Sequence, residues 1–349
     1  MSAVAPIDVK GWCPGALRPM ESGDGLIVRV RPWGGALSIA QARGLADAAE
    51  HFGNGHIDLT RRANLQLRGV SAGTLDGLQA ALESHGLLDC DADAEAVRNV
   101  MVGPLAGDEA RALAKALTEA IVSDRRLWVL PGKFGWLVDD AARATILDRP
   151  SDVALCWMQD GVAVRKNDRW LGVVSGERAV DVAVSLALGG TPSLNALGTV
   201  PGIRSKPLGV AAPFGRLEAV QLRQLMDLAA AAGAREVRLS PWRALHFDVA
   251  VDGAAELGLI VDADDPLLRV DACPGAPACR SSTVDTRGIA RLLASRPFAG
   301  TVHVSGCAKG CARSAPADLV LVGTDGRFGV VHNGTPRSPI ERIVTPDTL

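Results

Sequence analysis

The chain has 349 residues, 48% apolar and 22% charged, with a formal net charge of −2. That is ordinary globular composition with room for roughly two or three domains, and its near-neutral balance gives no reason to expect nucleic acid or a membrane surface as partner. No apolar run reaches a membrane span, since even Ala179–Leu188 is broken by Asp181. The first ten residues, MSAVAPIDVK, lack the apolar centre of a signal peptide. Seven cysteines, an odd count, read as thiols in a reducing, cytoplasmic setting rather than as a disulfide framework.

In chain order, Leu26–Arg31 alternates and stops at Pro32 and Gly34-Gly35, as a strand running into a turn does. Arg29 and Arg31 then share one face, Val28 and Val30 the other. Ser38 is placed to cap a helix over Ile39–His51, and Leu65, Leu67 and Val70 mark a second strand. A helix is expected over Asp108–Val122, and Gly189–Lys206, rich in Gly, Pro and Ser, reads as a linker. Asp262–Pro266 marks a boundary. Beyond it come a helix (Thr286–Ala294), a strand (Thr301–Ser305), a helix starting at Gly310 and a strand (Asp318–Val322).

Two stretches of the chain resemble each other. Pro32–Val70 matches Pro213–Ala250, gapless from Leu37 at an offset of 180, as from Gln41 to Gln221. Arg43, Leu45, Asp47 and Ala49 recur as Arg223, Leu225, Asp227 and Ala229, and IDLTRRANLQL from Ile57 as VRLSPWRALHF from Val237. Each copy reads strand, turn, helix, strand, strand. A unit of that size cannot bury both faces alone, so the expectation is an α+β protein in which two copies pack about a pseudo-twofold axis.

The cysteines near the end carry the chemistry. Cys273 to Cys279 is C-x5-C, and Cys307 to Cys311 is C-x3-C. Four soft thiolates select an iron–sulfur cluster or zinc. Structural zinc usually draws on tighter C-x2–4-C knuckles. The neighbours favour a cluster: Gly275, Gly306 and Gly310 let backbone amides approach sulfur, and Arg280, Lys309 and Arg313 offset negative charge. Cys13, Cys90 and Cys156 are scattered and read as ordinary thiols. Basic residues gather upstream at Arg29, Arg31, Arg61, Arg62, Arg68, Arg98 and Lys133, either as a solvated face or as forks for the carboxylates of a ligand. The chain carries no nicotinamide or flavin fingerprint, P-loop or H-E-x-x-H, so electrons are expected from an external donor.

These residues resemble the siroheme-containing sulfite and nitrite reductase superfamily, over nearly the whole chain from Gly25 to about Gly329. The matching segments are RVRPWGG (Arg29–Gly35), DLTRRANLQLRGV (Asp58–Val70), RNVM (Arg98–Met101), LPGKFG (Leu130–Gly135) and SGCAKGCARS (Ser305–Ser314). The resemblance implies duplicated ferredoxin-like half-domains in a pseudo-twofold pair, with an α+β cluster-binding domain. It divides the chain into 1–88 (first half-domain), 89–206 (middle α+β domain), 207–262 (second half-domain) and 263–349 (cluster domain). It implies a [4Fe–4S] cluster on Cys273, Cys279, Cys307 and Cys311, with Cys311 nearest the tetrapyrrole. Arg31, Arg98 and Lys133 fall at its anion-handling positions, and Arg29, Arg62, Asn64 and Gln66 at macrocycle-contacting ones. The superfamily's second active-site lysine is Gly135 here, so reduction of an inorganic anion loses a cation it relies on.

Within the superfamily the opening GWCPGALRPMESGDGLIVRVRPWGGALS resembles the precorrin-3B synthases of aerobic cobalamin biosynthesis. That likeness implies oxygen-dependent hydroxylation of precorrin-3A at C20 with γ-lactone formation. It also implies a mononuclear iron beside the cluster, and an NADH-linked reductase or a ferredoxin as electron donor. Siroheme is expected only under the alternative, a sulfite or nitrite reductase.

Overall fold

The computed structural model describes residues 12–204 and 207–348. MSAVAPIDVK, Gly11 of the opening motif, and Ser205 and Lys206 at the end of the linker lie outside them. The first repeat contains β1 (Met20–Ser22), β2 (Gly25–Val30), β3 (Ala36–Ser38), α1 (Ile39–Phe52), β4 (His56–Leu59), β5 (Leu65–Val70) and α2 (Leu75–Ser84). The middle segment adds α3 (Ala92–Val97), β6 (Val100–Val102), α4 (Asp108–Ser123), β7 (Trp136–Asp140), β8 (Val153–Met158), β9 (Gly161–Lys166), β10 (Arg169–Val174) and α5 (Gly176–Ala187). The second repeat holds β11 (Val210–Ala211), β12 (Arg216–Glu218), α6 (Ala219–Ala231), β13 (Glu236–Leu239) and β14 (Ala244–Phe247). The cysteine region supplies β15 (Val270–Ala272), α7 (Thr286–Ala294), β16 (Val302–Ser305), β17 (Ala317–Thr324), β18 (Arg327–Gly334) and β19 (Arg342–Val344).

The repeats interlock by exchanging a strand. One sheet runs β1-β2-β5-β4-β12 and another β11-β14-β13-β3, so each is finished by a strand of the other copy. The registers obey the sequence offset: Ser38 faces Glu236 and Glu218 faces His56, while Ala36 faces Arg238 and Arg216 faces Asp58. Details repeat in the same way. Ser38 and Glu218 each form a capping box, with Gln41 and Gln221. Arg43 pairs with Asp227 at 2.6 Å, and its counterpart Arg223 with Asp47 at 2.8 Å. Leu45 and its twin Leu225 are both fully buried in the shared core, each contributing about 1.5–3 kcal/mol by leaving water.

The duplication extends past the repeat visible in sequence. The middle sheet, β10-β9-β8-β7-β6, has two parallel pairs followed by two antiparallel ones, with α4 bridging its first parallel pair. The cysteine-bearing sheet, β15-β16-β17-β18-β19, has the same order and directions, with α7 as the bridge. Two α+β sheets therefore accompany two half-domains. In the middle sheet Trp136 is fully buried and donates its indole N–H to the Val97 carbonyl at 3.1 Å.

Expected helix bounds hold to within a residue or two for α1, α4 and α7. The helix expected from Gly310 does not form. Gly310 takes φ +66°, and the chain continues in turns to Ala317, because the segment wraps a site and runs into Pro316. Strands β6–β10 carry little signal in the sequence, where buried runs such as VALCWM show no alternation. Among the described residues no helix is long and apolar enough to cross a membrane.

Two outcomes follow. Leu45→Ala and Leu225→Ala should each cost about 2–5 kcal/mol in urea unfolding and match within about 1 kcal/mol; a neutral effect at one of them contradicts the shared core. Burial also pushes His246 and His303 down to about 4, against about 6.5 unfolded. The unfolded chain then takes up protons first, so stability is level above about pH 6.5 and falls as the pH drops toward about 4. A loss on the order of 3 kcal/mol per imidazole is expected over that window, reduced in a His303→Asn variant. A flat profile contradicts it.

Candidate functional site

Both cysteine loops leave the C-terminal ends of adjacent parallel strands, Cys273 following β15 and Cys307 following β16. Carboxyl ends of parallel strands are where open sheets receive ligands. The loops are tied together: the Gly306 N–H donates to Cys273 Sγ at 3.1 Å. A Cβ at Gly306 would fall 2.3 Å from Ser282 Oγ, and at Gly275 (φ +69°) 2.5 Å from Thr286 Oγ1, so both positions need glycine.

All four cysteines are free. Burial pushes the Cys311 thiol up to about 11, and Cys273, Cys307 and Cys279 push it the same way, while Lys309 opposes. Cys307 is raised as well, by burial first and then by Cys279 and Cys273. The four sulfurs thus feel one another. Among the described residues no three His, Cys, Asp or Glu side chains gather closely enough to hold a single metal ion. Four soft thiolates are the donor set that an iron–sulfur cluster takes, one to each iron.

Arginines from the repeats fasten these loops. Arg68 grips Asp24 at 2.8 and 2.7 Å, reaches Asp58 at 3.3 Å, and donates to the Ala278 carbonyl beside Cys279 at 2.8 Å. Ser22 Oγ donates to the same carbonyl at 2.8 Å. Twin turns of the two repeats converge on the carbonyl of Ala312, next to Cys311: Arg61 Nε donates at 2.6 Å and Arg243 Nη2 at 3.1 Å. The turns share their form, with Ala63 at φ 53° and Arg243 at φ 61°. Asp271 on β15 pairs with Arg61, Arg243 and Arg313.

Asp58 is gripped by Arg216 at 2.9 Å and by Arg287 at 3.2 Å besides Arg68. Burial alone would raise its carboxyl, but Arg287 and Arg216, with Arg68, hold it well below the usual carboxylate range. Burial, with Arg31 alongside, brings Arg29 down to about 10, and burial with Arg61 alongside does the same to Arg243. Both stay cationic at neutral pH.

These groups wall a cavity of about 390 Å³ that also exposes Cys273, Cys279 and Cys311. Among the described residues lining it are seven cations, Arg29, Arg61, Arg68, Arg243, Arg280, Arg287 and Lys309, against two carboxylates, Glu21 and Asp58. Such an excess of positive charge suits a polyanionic ligand. Buried donors without partners at Arg243 Nε and at Arg287 Nε and Nη1 fit the same conclusion.

Of the residues singled out in sequence, Arg29 and Gln66 are in this wall, Arg29 donating to Gln66 Oε1 at 3.1 and 2.7 Å. Arg31 and Arg98 are elsewhere. Arg31 is buried on Glu95 at 2.8 Å, whose carboxylate also accepts the Ala16 and Leu17 N–H groups. Arg98 is buried on Asp89 and stacks over Trp33 at 4.5 Å. Arg62 donates to the Lys133 carbonyl at 2.5 Å, the Lys133 side chain is exposed, and Asn64 donates to Asn99 Oδ1 at 2.5 Å. Arg243, Arg287, Asp58 and Asp271 join the site only through the fold. Arg243 was findable, because the aligned copies differ there (Ala63 against Arg243), whereas Arg287 carries no sequence signal of its own.

Residues 18–85 match the nitrite/sulfite reductase ferredoxin-like half domain. The chain is 31% identical to precorrin-3B synthase of Sinorhizobium sp. over 93% of its own length and 83% of that protein. It is 25% identical to sulfite reductase [ferredoxin] 2 of Mycolicibacterium paratuberculosis over 88% of its length and 72% of that protein's. The NirA protein of Mycobacterium tuberculosis superposes with a TM-score of 0.67, covering 93% of this chain and 78% of that one; at 20% identity this shows the fold. The duplicated half-domains, the paired cysteine loops and the relative that spans nearly the whole chain agree: the chain belongs to the precorrin-3B synthase family, within the nitrite/sulfite reductase superfamily.

Proposed function

We propose that the chain is an iron–sulfur monooxygenase that hydroxylates precorrin-3A at C20 and closes a ring-A acetate into a γ-lactone. The observation that carries this reading is the arginine-walled cavity opening onto three cysteines, where positive charge far exceeds the carboxylates present. Precorrin-3A is a tetrapyrrole rich in acetate and propionate arms, the kind of polyanion such a wall accepts. The family relative named for this chemistry spans nearly the whole chain.

A [4Fe–4S] cluster held by Cys273, Cys279, Cys307 and Cys311 would supply electrons, and a mononuclear iron the oxygen activation that side chains lack. The chain's own residues do the positioning. Arg29, braced on Gln66, presents a fixed fork to one acid arm. Arg61 and Arg243 hold the Cys311 loop through Ala312, keeping its thiol against the cavity. Holding a macrocycle at several carboxylates converts a collision into an oriented encounter. Reducing equivalents come from an external NADH-linked reductase or ferredoxin, and free thiols throughout fit a cytoplasmic setting.

Siroheme-dependent sulfite or nitrite reduction is the weaker reading. Gly135 leaves no room for a second lysine without a shift, since a Cβ there would stand 3.1 Å from Ser151 Cα. Arg31 and Arg98 also direct their donors to Glu95 and Asp89 rather than to an open site.

The direct test supplies precorrin-3A, oxygen and a reductant, and weighs the product by mass spectrometry. One added oxygen atom is expected. Arg29→Met should raise the apparent KM by about tenfold or more and leave the visible iron–sulfur absorption unchanged. An unaltered KM removes Arg29 from substrate binding, and no oxygenated product from the wild type overturns the activity.

A further inference from the structure

We propose that Arg287 and Arg243 together form a carboxylate subsite in the wall of the cavity that holds an acid arm of the tetrapyrrole. The inference rests on the reading of the cavity as a tetrapyrrole site and adds residues from the cluster-bearing half and the second repeat.

Three observations carry it. First, both guanidiniums are under-used. Arg287 spends Nη2 on Asp58 at 3.2 Å, while its Nε and Nη1 are buried without a hydrogen-bond partner. Arg243 reaches the carbonyls of Phe214 at 3.4 Å and Ala312 at 3.1 Å, while its Nε has no partner. Buried donors are nearly always satisfied, so these three in one wall mark a place that can accept an acceptor group.

Second, the local charge does not balance. Asp58 is shared by Arg68, Arg216 and Arg287, and Asp271 by Arg61, Arg243 and Arg313. Even with Asp24 on Arg68, six guanidiniums face three carboxylates. Both arginines line the cavity, so an acid entering it meets uncompensated cations.

Third, both arginines line the cavity beside the cluster loops, where Arg243 donates to the Ala312 carbonyl. A carboxylate is the class of group the pair takes, since guanidinium donors match its oxygens and its charge.

The test titrates the full-length, cluster-loaded protein with uroporphyrin, an octacarboxylate tetrapyrrole, followed by quenching of its fluorescence. Its octamethyl ester serves as the uncharged control. Arg287→Leu and Arg243→Gln should each weaken uroporphyrin binding about tenfold, with Arg287→Lys recovering part of the loss. The ester should bind all forms equally, and the visible iron–sulfur absorption should persist in the Arg287 variants. Wild-type affinity in both Arg287→Leu and Arg243→Gln overturns the subsite while leaving the tetrapyrrole reading intact. Weakened binding in Arg287→Leu accompanied by loss of iron–sulfur absorption also overturns it, by showing a role in holding the cluster. A wild-type protein that binds neither porphyrin overturns the tetrapyrrole reading itself, and the subsite with it.

Discussion

Two shared carboxylates, Asp58 and Asp271, fasten the half-domains to the cysteine loops. Each is gripped by three arginines drawn from different segments of the chain. Buried ion pairs are poor evidence for net stability, because desolvation offsets much of the attraction. Their value here is geometric. Asp58 belongs to the first repeat, Arg216 to the second and Arg287 to the helix after the first cysteine loop, so one carboxylate fixes three parts of the chain against one another. Removing it would leave three buried cations facing each other.

The pseudo-twofold axis explains why so much converges there. Exchange of β3 and β12 between the sheets makes neither repeat complete without the other. It also brings the turns 60–64 and 240–244, remote in sequence, onto the single carbonyl of Ala312. Both copies line the cavity, and at the position where Ala63 stands in one, Arg243 in the other adds a cation to the wall. The same logic holds for the α+β sheets, which share strand order, while only the later one carries the paired cysteines.

Much of this was legible in the residues. The offset between copies pointed to a pseudo-twofold pair, and the strand registers obey the same offset. The cysteine spacing pointed to one site because few physical arrangements use four thiolates. Other features were not legible for definable reasons. Strands β7 and β8 are buried on both faces and lose the alternation by which a strand is read. Arg31 and Arg98 look like ligand-binding cations in sequence, and the fold pairs them with Glu95 and Asp89. Arg287 gains its meaning from Asp58, a residue 229 positions away.

Cationic excess and cysteine loops meet in one cavity, so the account stands on what those thiols hold. Anaerobically purified protein should show a broad sulfur-to-iron absorption shoulder without siroheme bands, and should contain at least roughly four irons and four acid-labile sulfides per chain. Both should disappear in Cys311→Ser. A colourless protein carrying zinc, or a Cys311→Ser variant with undiminished iron and sulfide, would contradict the account.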